Sequence, residues 1–253
     1  MAVQIHKPED NQFLKMLIHA PSGHGKTYFL GTAALDARTS PMLVMDFEGG
    51  TSTLAGLDID IAPIRSWEDY EEVYTNLLEG NEVDGIDYSQ YRSIGVDSIS
   101  ETHIFALLEL LRVNGPQRKD PDLIEMGDYG RASVQMRRLL RSFRDLPMHV
   151  VFTSHSKEIE EPRVGKVKVP SMSGQLAEEV PGMMDVVGYL AKGEDEDGAE
   201  YRDLLLQGFP KFRSKVRVPW EVTAPDSIEN ATITDVLDVL GIAEPKASRA
   251  KKK

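Results

Sequence analysis

The apolar run Phe13-Leu14-Lys15-Met16-Leu17-Ile18 leads into Ala20-Pro21-Ser22-Gly23-His24-Gly25-Lys26-Thr27, and Tyr28-Phe29-Leu30 follows at once. The segment departs from G-x-x-x-x-G-K-[ST] only at Ala20, which stands in the place of the first glycine. No other feature constrains the chain as much, because it demands a strand, a tight loop and a helix in immediate succession. The crowded charge of a triphosphate is held best by backbone N–H groups at a helix start, where the dipole also favours an anion. Gly23 and Gly25 allow the backbone to come close, with Pro21, Ser22 and His24 completing the loop. Lys26 is expected to reach the β- and γ-phosphates of ATP, Thr27 to turn its hydroxyl to Mg²⁺, and Tyr28 to end the nucleotide-binding segment. Alanine at position 20 is acceptable at negative φ, and Pro21 biases it toward extended backbone.

A chain of 253 residues with 41% hydrophobic content can bury one full α/β core. The expected organisation is an N-terminal extension over 1–12, an ATPase domain over 13–241 and a basic, disordered tail over 242–253. The absence of cysteine excludes a disulfide scaffold and thiolate metal sites. No apolar run approaches the ~18 residues that span a bilayer, so a soluble, cytoplasmic protein without membrane contact is expected. A net charge of −12 disfavours indiscriminate wrapping of DNA yet permits a local basic groove. Basic residues gather at Arg131 to Arg144, Arg163 to Lys168, Lys211 to Arg217 and Arg249 to Lys253.

Apolar runs and helical stripes alternate along the first part of the chain. The pattern predicts a helix over Lys26 to Ala37, then strands at Met42-Leu43-Val44-Met45 and Ile59 to Ile64. Ser66-Trp67-Glu68-Asp69 reads as a capping box opening a helix to about Leu78. A strand over Tyr91 to Asp97 and a helix over Ser100 to Arg112 come next. Met136, Leu139, Leu140 and Phe143 form a core-facing stripe on a helix from about Tyr129 to Arg144, before a strand over His149 to His155. From Lys157 the pattern changes: Val164 to Val169 reads as a hairpin arm, and Met184 to Ala191 with Tyr201 to Gln207 as antiparallel structure continuing the sheet. Thr232 to Leu240 closes the fold as a short helix.

The polar residues ending three apolar strands narrow the chemistry. Asp97 is placed to hold the Mg²⁺ shell. Glu48 is placed to take a proton from an attacking water. His155 is placed to sense the γ-phosphate. Each also has a plain structural reading, as a turn former or a satisfied surface residue.

With these residues in view the chain resembles the RecA superfamily. It most resembles the phage-encoded RecA-like ATPases of the Sak group, a family of phage nucleotide-binding proteins with an AAA-type domain. The resemblance rests on Ala20 to Thr27, Val44 to Gly50, Ile94 to Ser98, Val150 to His155 and the Lys215-Val216-Arg217 triplet, and covers roughly Phe13 to Trp220. It implies a mostly parallel sheet flanked by helices, with antiparallel strands added toward the C-terminus. It also implies Mg²⁺-dependent ATP hydrolysis and a ring or filament in which Lys215 and Arg217 enter a neighbour's ATP site.

The resemblance further implies single-stranded DNA binding by two loops, supporting recombination or annealing, with a single-strand-binding protein as a candidate partner. Those loops are expected as irregular segments over Val113 to Gly130, with Arg118 and Lys119, and over Lys157 to Gln175, with Lys157, Arg163, Lys166 and Lys168. Two other readings fit a phosphate loop: a nucleotide-gated loader or scaffold for a single-strand-binding protein, and a small-molecule kinase.

Overall fold

The computed structural model describes residues 13–118, 120, 122–172, 174–194 and 197–243. The expected N-terminal extension, Lys119 and nearly all of the expected tail lie outside the described residues.

Strand β1 (Lys15–Ala20) lies within a parallel sheet beside β7 (His149–Glu161) on one side and β9 (Val186–Glu194) on the other. Beyond β7 come β6 (Ser93–Asp97), β2 (Met42–Asp46) and β3 (Ile59–Pro63), all parallel. Beyond β9 the sheet turns antiparallel through β10 (Glu200–Leu205) and β12 (Ser227–Glu229). The short β11 (Lys215–Val216) pairs with the start of β9, and β8 (Gly165–Pro170) folds back on the far half of β7. A small hairpin of β4 (Glu82–Val83) and β5 (Ile86–Asp87) stands apart. This is the α/β architecture expected from the sequence: mostly parallel, flanked by helices, with antiparallel strands toward the C-terminus.

Both faces of the central strands are covered: every residue of β2 and β6 is buried, and β2 is a continuous apolar run up to Asp46. One face packs against α2 (Trp67–Glu79), α3 (Ile99–Asn114), α4 (Met126–Arg144) and α5 (Leu176–Met183). The other packs against α1 (Lys26–Gly31) and α6 (Ile233–Val239). The stripe Met136, Leu139, Leu140 and Phe143 is buried as its spacing requires. Capping boxes start α2 at Ser66 with Asp69, and α6 at Thr232 with Asp235.

Three expected boundaries shift. The first helix ends at Gly31 rather than Ala37 and tightens into a 3-10 turn over Thr32–Leu35. There Thr32 Oγ1 donates to Phe29 O at 2.6 Å and accepts from Ile233 N at 2.9 Å, tying α1 to α6. Neither expected irregular segment is irregular throughout. Helix α4 begins at Met126 rather than Tyr129, because Glu125 and Asp128 close a capping box ahead of it. Strand β7 runs six residues past the expected end, to Glu161, since β8 supplies backbone partners and buries Val167 and Val169 against it.

Phe152 is fully buried on β7, in contact with both flanking strands. Phe152→Ala is expected to lower the free energy of unfolding by about 3–5 kcal/mol, read as a lower denaturation midpoint at unchanged slope.

Candidate nucleotide site

At the end of β1 the chain bends through Pro21 to Gly25, with Gly23 at φ 78° and Gly25 at φ 89°. Glycine enters this left-handed region without steric cost. The first helical bond, Phe29 N to Gly25 O at 2.8 Å, then launches α1. His24 anchors the bend to the neighbouring strand: its Nδ1 faces the Leu190 carbonyl at 3.1 Å and must donate to it. The Lys26 side chain folds back inside the loop, only 7% exposed, with Nζ donating to Ala20 O at 3.3 Å and Pro21 O at 3.2 Å. Burial pulls its pKa down, against the opposing fields of Glu48 and Asp97.

Strand register brings the remaining groups together. Ala20, the last residue of β1, is paired with His155 within β7, and β2 and β6 end level at the Asp46–Asp97 pair. In open parallel sheets that carboxyl edge is where ligands bind. Thr27 Oγ1 donates to Asp97 Oδ2 at 2.6 Å, and the Thr153 hydroxyl donates to Oδ1. Asp97 is 5% exposed, and burial raises its pKa against the stabilising Thr153 and Thr27 hydroxyls. The adjacent hydroxyl and carboxylate are hard oxygen donors that fit Mg²⁺, an ion that keeps several waters and takes few protein ligands. At this edge Thr27 and Asp97, already joined to each other, are the pair that would hold it.

Glu48 is aimed by Asp46. The Asp46 carboxylate accepts from Glu48 N at 3.1 Å, Gly49 N at 2.7 Å and Thr51 Oγ1 at 3.3 Å, an Asx turn that doubles the chain back over the strand end. Glu48 Oε1 then accepts from the Ser98 hydroxyl and lies 3.2 Å from His155 Nε2. The His155 backbone N–H donates to Ser100 Oγ at 2.9 Å. The fold brings together Glu48 and His155, and Asp97 with Thr27, all candidates from the sequence, and adds contacts that sequence reasoning missed, from Asp46, Ser98, Ser100 and Thr153. The legible signal was Asp46 two residues before Glu48, the spacing of an Asx turn.

Lys215 and Arg217 are not brought to this site. Arg217 N donates to Asp185 O at 2.9 Å, and Asp185 N to Lys15 O at 2.8 Å, which sets Arg217 level with the start of β1. At ~3.3 Å per residue, the phosphate loop begins roughly 20 Å further along the sheet. Arg217 Nη2 donates to Gly182 O at 2.6 Å, while burial lowers the pKa of Lys215, with Arg217 adding to the effect.

The residues expected to meet DNA are scattered and mostly engaged. Arg118 grips buried Asp128 through two bonds, at 2.7 and 2.6 Å. The β7–β8 hairpin carries Lys157, bonded to Met172 O, and Lys166, paired with Glu158 at 2.8 Å. Lys168 Nζ donates to the Tyr189 hydroxyl at 3.1 Å, and Arg163 is exposed at the hairpin's tip. No helix among the described residues is long and apolar enough to cross a membrane.

A glycine-bent loop enclosing a lysine, set at the carboxyl edge of a parallel sheet beside a threonine–aspartate pair, is the construction of a P-loop nucleotide-binding protein. Sequence comparison narrows the class: the chain belongs to the AAA domain family, whose profile matches residues 12–218. No curated protein matches the sequence. Among solved structures, the chain is similar to the RadB recombinase at 16% identity over 76% of this chain and 81% of that one, with a TM-score of 0.43. It is also similar to the flagellar accessory protein FlaH from Methanocaldococcus jannaschii, at 10% identity over 86% and 85% of the two chains and a TM-score of 0.39.

Proposed function

We propose that this chain is a Mg²⁺-dependent, RecA-like ATPase that assembles with copies of itself and acts on single-stranded DNA in phage-type recombination or strand annealing. The observation that carries the reading is the contact of Glu48 with Ser98 and His155, beside the Thr27–Asp97 pair and the enclosed Lys26. In this reading Lys26 binds the β- and γ-phosphates, and Thr27 and Asp97 hold the metal. Mg²⁺, when bound, neutralises charge on the phosphate oxygens. Glu48 accepts a proton from water as the water oxygen bonds to the γ-phosphorus and the bond to the bridging oxygen breaks. His155, touching Glu48, is the group that registers whether the γ-phosphate is present. Strand β7 continues from His155 directly into the hairpin bearing Lys157, Arg163, Lys166 and Lys168, which offers a rigid route from nucleotide state to a DNA-facing segment.

Assembly enters through Lys215 and Arg217, which lie too far from their own loop to serve it. Cationic residues supplied across a subunit boundary can be worth ~10³-fold or more in rate. Measuring ATP turnover with and without single-stranded DNA tests the reading. Stimulation by DNA supports it; DNA-independent turnover with a small acceptor indicates a kinase, and binding without turnover a loader or scaffold. Lys215→Ala with Arg217→Ala is expected to suppress turnover, and mixing that variant with Lys26→Ala to restore part of it, since each supplies what the other lacks. No restoration would remove the action in trans.

A further inference from the structure

We propose that Tyr28 and Arg202 hold the nucleobase of the bound nucleoside triphosphate. The assignment rests on the phosphate loop being a triphosphate site and adds where the rest of the ligand lies.

The direction of the ligand follows from the sheet order. Asp97 ends β6, Glu48 lies just beyond the end of β2 and His155 lies within β7, and all three strands lie on one side of β1. A triphosphate with its γ end toward those groups must lead its nucleoside toward the other side, where β9 and β10 stand. Arg202 projects from β10 onto that flank. Its backbone is fixed from both sides, by register pairing with Lys192 and by Asn230, whose N–H donates to Arg202 O at 2.7 Å.

The side chain, by contrast, is weakly engaged. Arg202 Nε is buried without a hydrogen-bond partner, and Nη2 has only a 3.5 Å contact with Glu200 Oε2, whose carboxylate also pairs with Lys192. Buried donors left unpaired are rare enough to require an explanation. Arg202 lies against the loop so closely that a Cβ on Gly25 would come within 2.8 Å of Nε.

Tyr28 completes the arrangement. It follows Thr27 directly, is 60% exposed, and presents its ring 6.0 Å from the Arg202 guanidinium carbon. A planar base between the two needs two contact distances of ~3.5 Å, about 1 Å more than their present separation. On the same flank a groove of about 360 Å³ is lined by His24, Lys192, Gly193 and Glu194. That volume is within the ~300–1,000 Å³ range of small-molecule sites. A planar cation facing an aromatic ring beside the phosphate loop suits a base, whose π-face stacks on both.

Calorimetry with Mg²⁺-ATP and with inorganic triphosphate separates this assignment from the loop's own role. Arg202→Ala and Tyr28→Ala are each expected to weaken ATP about 10-fold, the loss of one stacking partner, while inorganic triphosphate binds as to the wild type. Arg202→Lys is expected to behave like Arg202→Ala, because an ammonium keeps the charge but not the plane. The assignment is overturned if Arg202→Ala binds ATP normally, if it loses inorganic triphosphate equally, or if Arg202→Lys restores ATP binding. A wild-type protein that binds neither ligand overturns the triphosphate site itself, and the base assignment with it.

Discussion

Lys26→Ala is expected to reduce ATP binding and turnover together by at least ~10²-fold, the scale seen when one preorganised charge-stabilising donor is removed. The side chain is enclosed by its own loop, and its ammonium meets only the Ala20 and Pro21 carbonyls there. Burial already disfavours the charged form, so a polyanion that restores a full partner gains more than it would from a lysine in water. Alanine removes the cation and leaves the left-handed bend at Gly23 and Gly25, which does not depend on it. Titration calorimetry with Mg²⁺-ATP reads the effect, and an unchanged circular dichroism spectrum excludes unfolding as its cause. Wild-type affinity in this variant would sink the phosphate-loop reading.

Glu48→Gln should separate binding from chemistry. Glutamine keeps the oxygen that accepts from Ser98 and preserves side-chain length, so ATP affinity should stay within about twofold. It cannot take a proton from water at neutral pH, and general-base catalysis contributes ~10²–10⁴-fold; turnover should fall by that range. Single-turnover hydrolysis with protein in excess tests the chemical step directly. Normal rates would eliminate Glu48 as the base. Asp46, its nearest acidic neighbour along the chain, is committed to the Glu48 and Gly49 amides and to Thr51, so it is poorly placed to substitute.

The phosphate loop was legible because its chemistry is local: glycine spacing, a lysine and a hydroxyl residue within one turn of chain. Glu48, Asp97 and His155 were candidates from sequence because each closely follows an apolar stretch, and the carboxyl edge of a parallel sheet collects such residues. Thr153 as a partner of Asp97, and Ser100 as a partner of the His155 amide, were not. Those contacts join residues more than fifty positions apart and exist only once β6 and β7 lie side by side. The continuation of β7 to Glu161 was hidden for a related reason. Ser156-Lys157-Glu158-Ile159-Glu160-Glu161 is too polar to announce a strand, and only β8 provides its pairing.

Arg202 shows the same limit most sharply. In the sequence it is one arginine in a late antiparallel segment, 177 positions after Gly25, yet in the fold its Nε lies against that glycine. What the residues determined alone was a strand, an anion-binding bend and a helix, together with the alternation that makes a covered parallel sheet, because these depend on backbone preferences and hydrophobic period within short windows. What tertiary structure alone decided was which strand ends stand level, which hydroxyls orient the carboxylates, and which flank of the loop is left for the rest of a nucleotide. Those are outcomes of sheet order and register, which long-range burial selects.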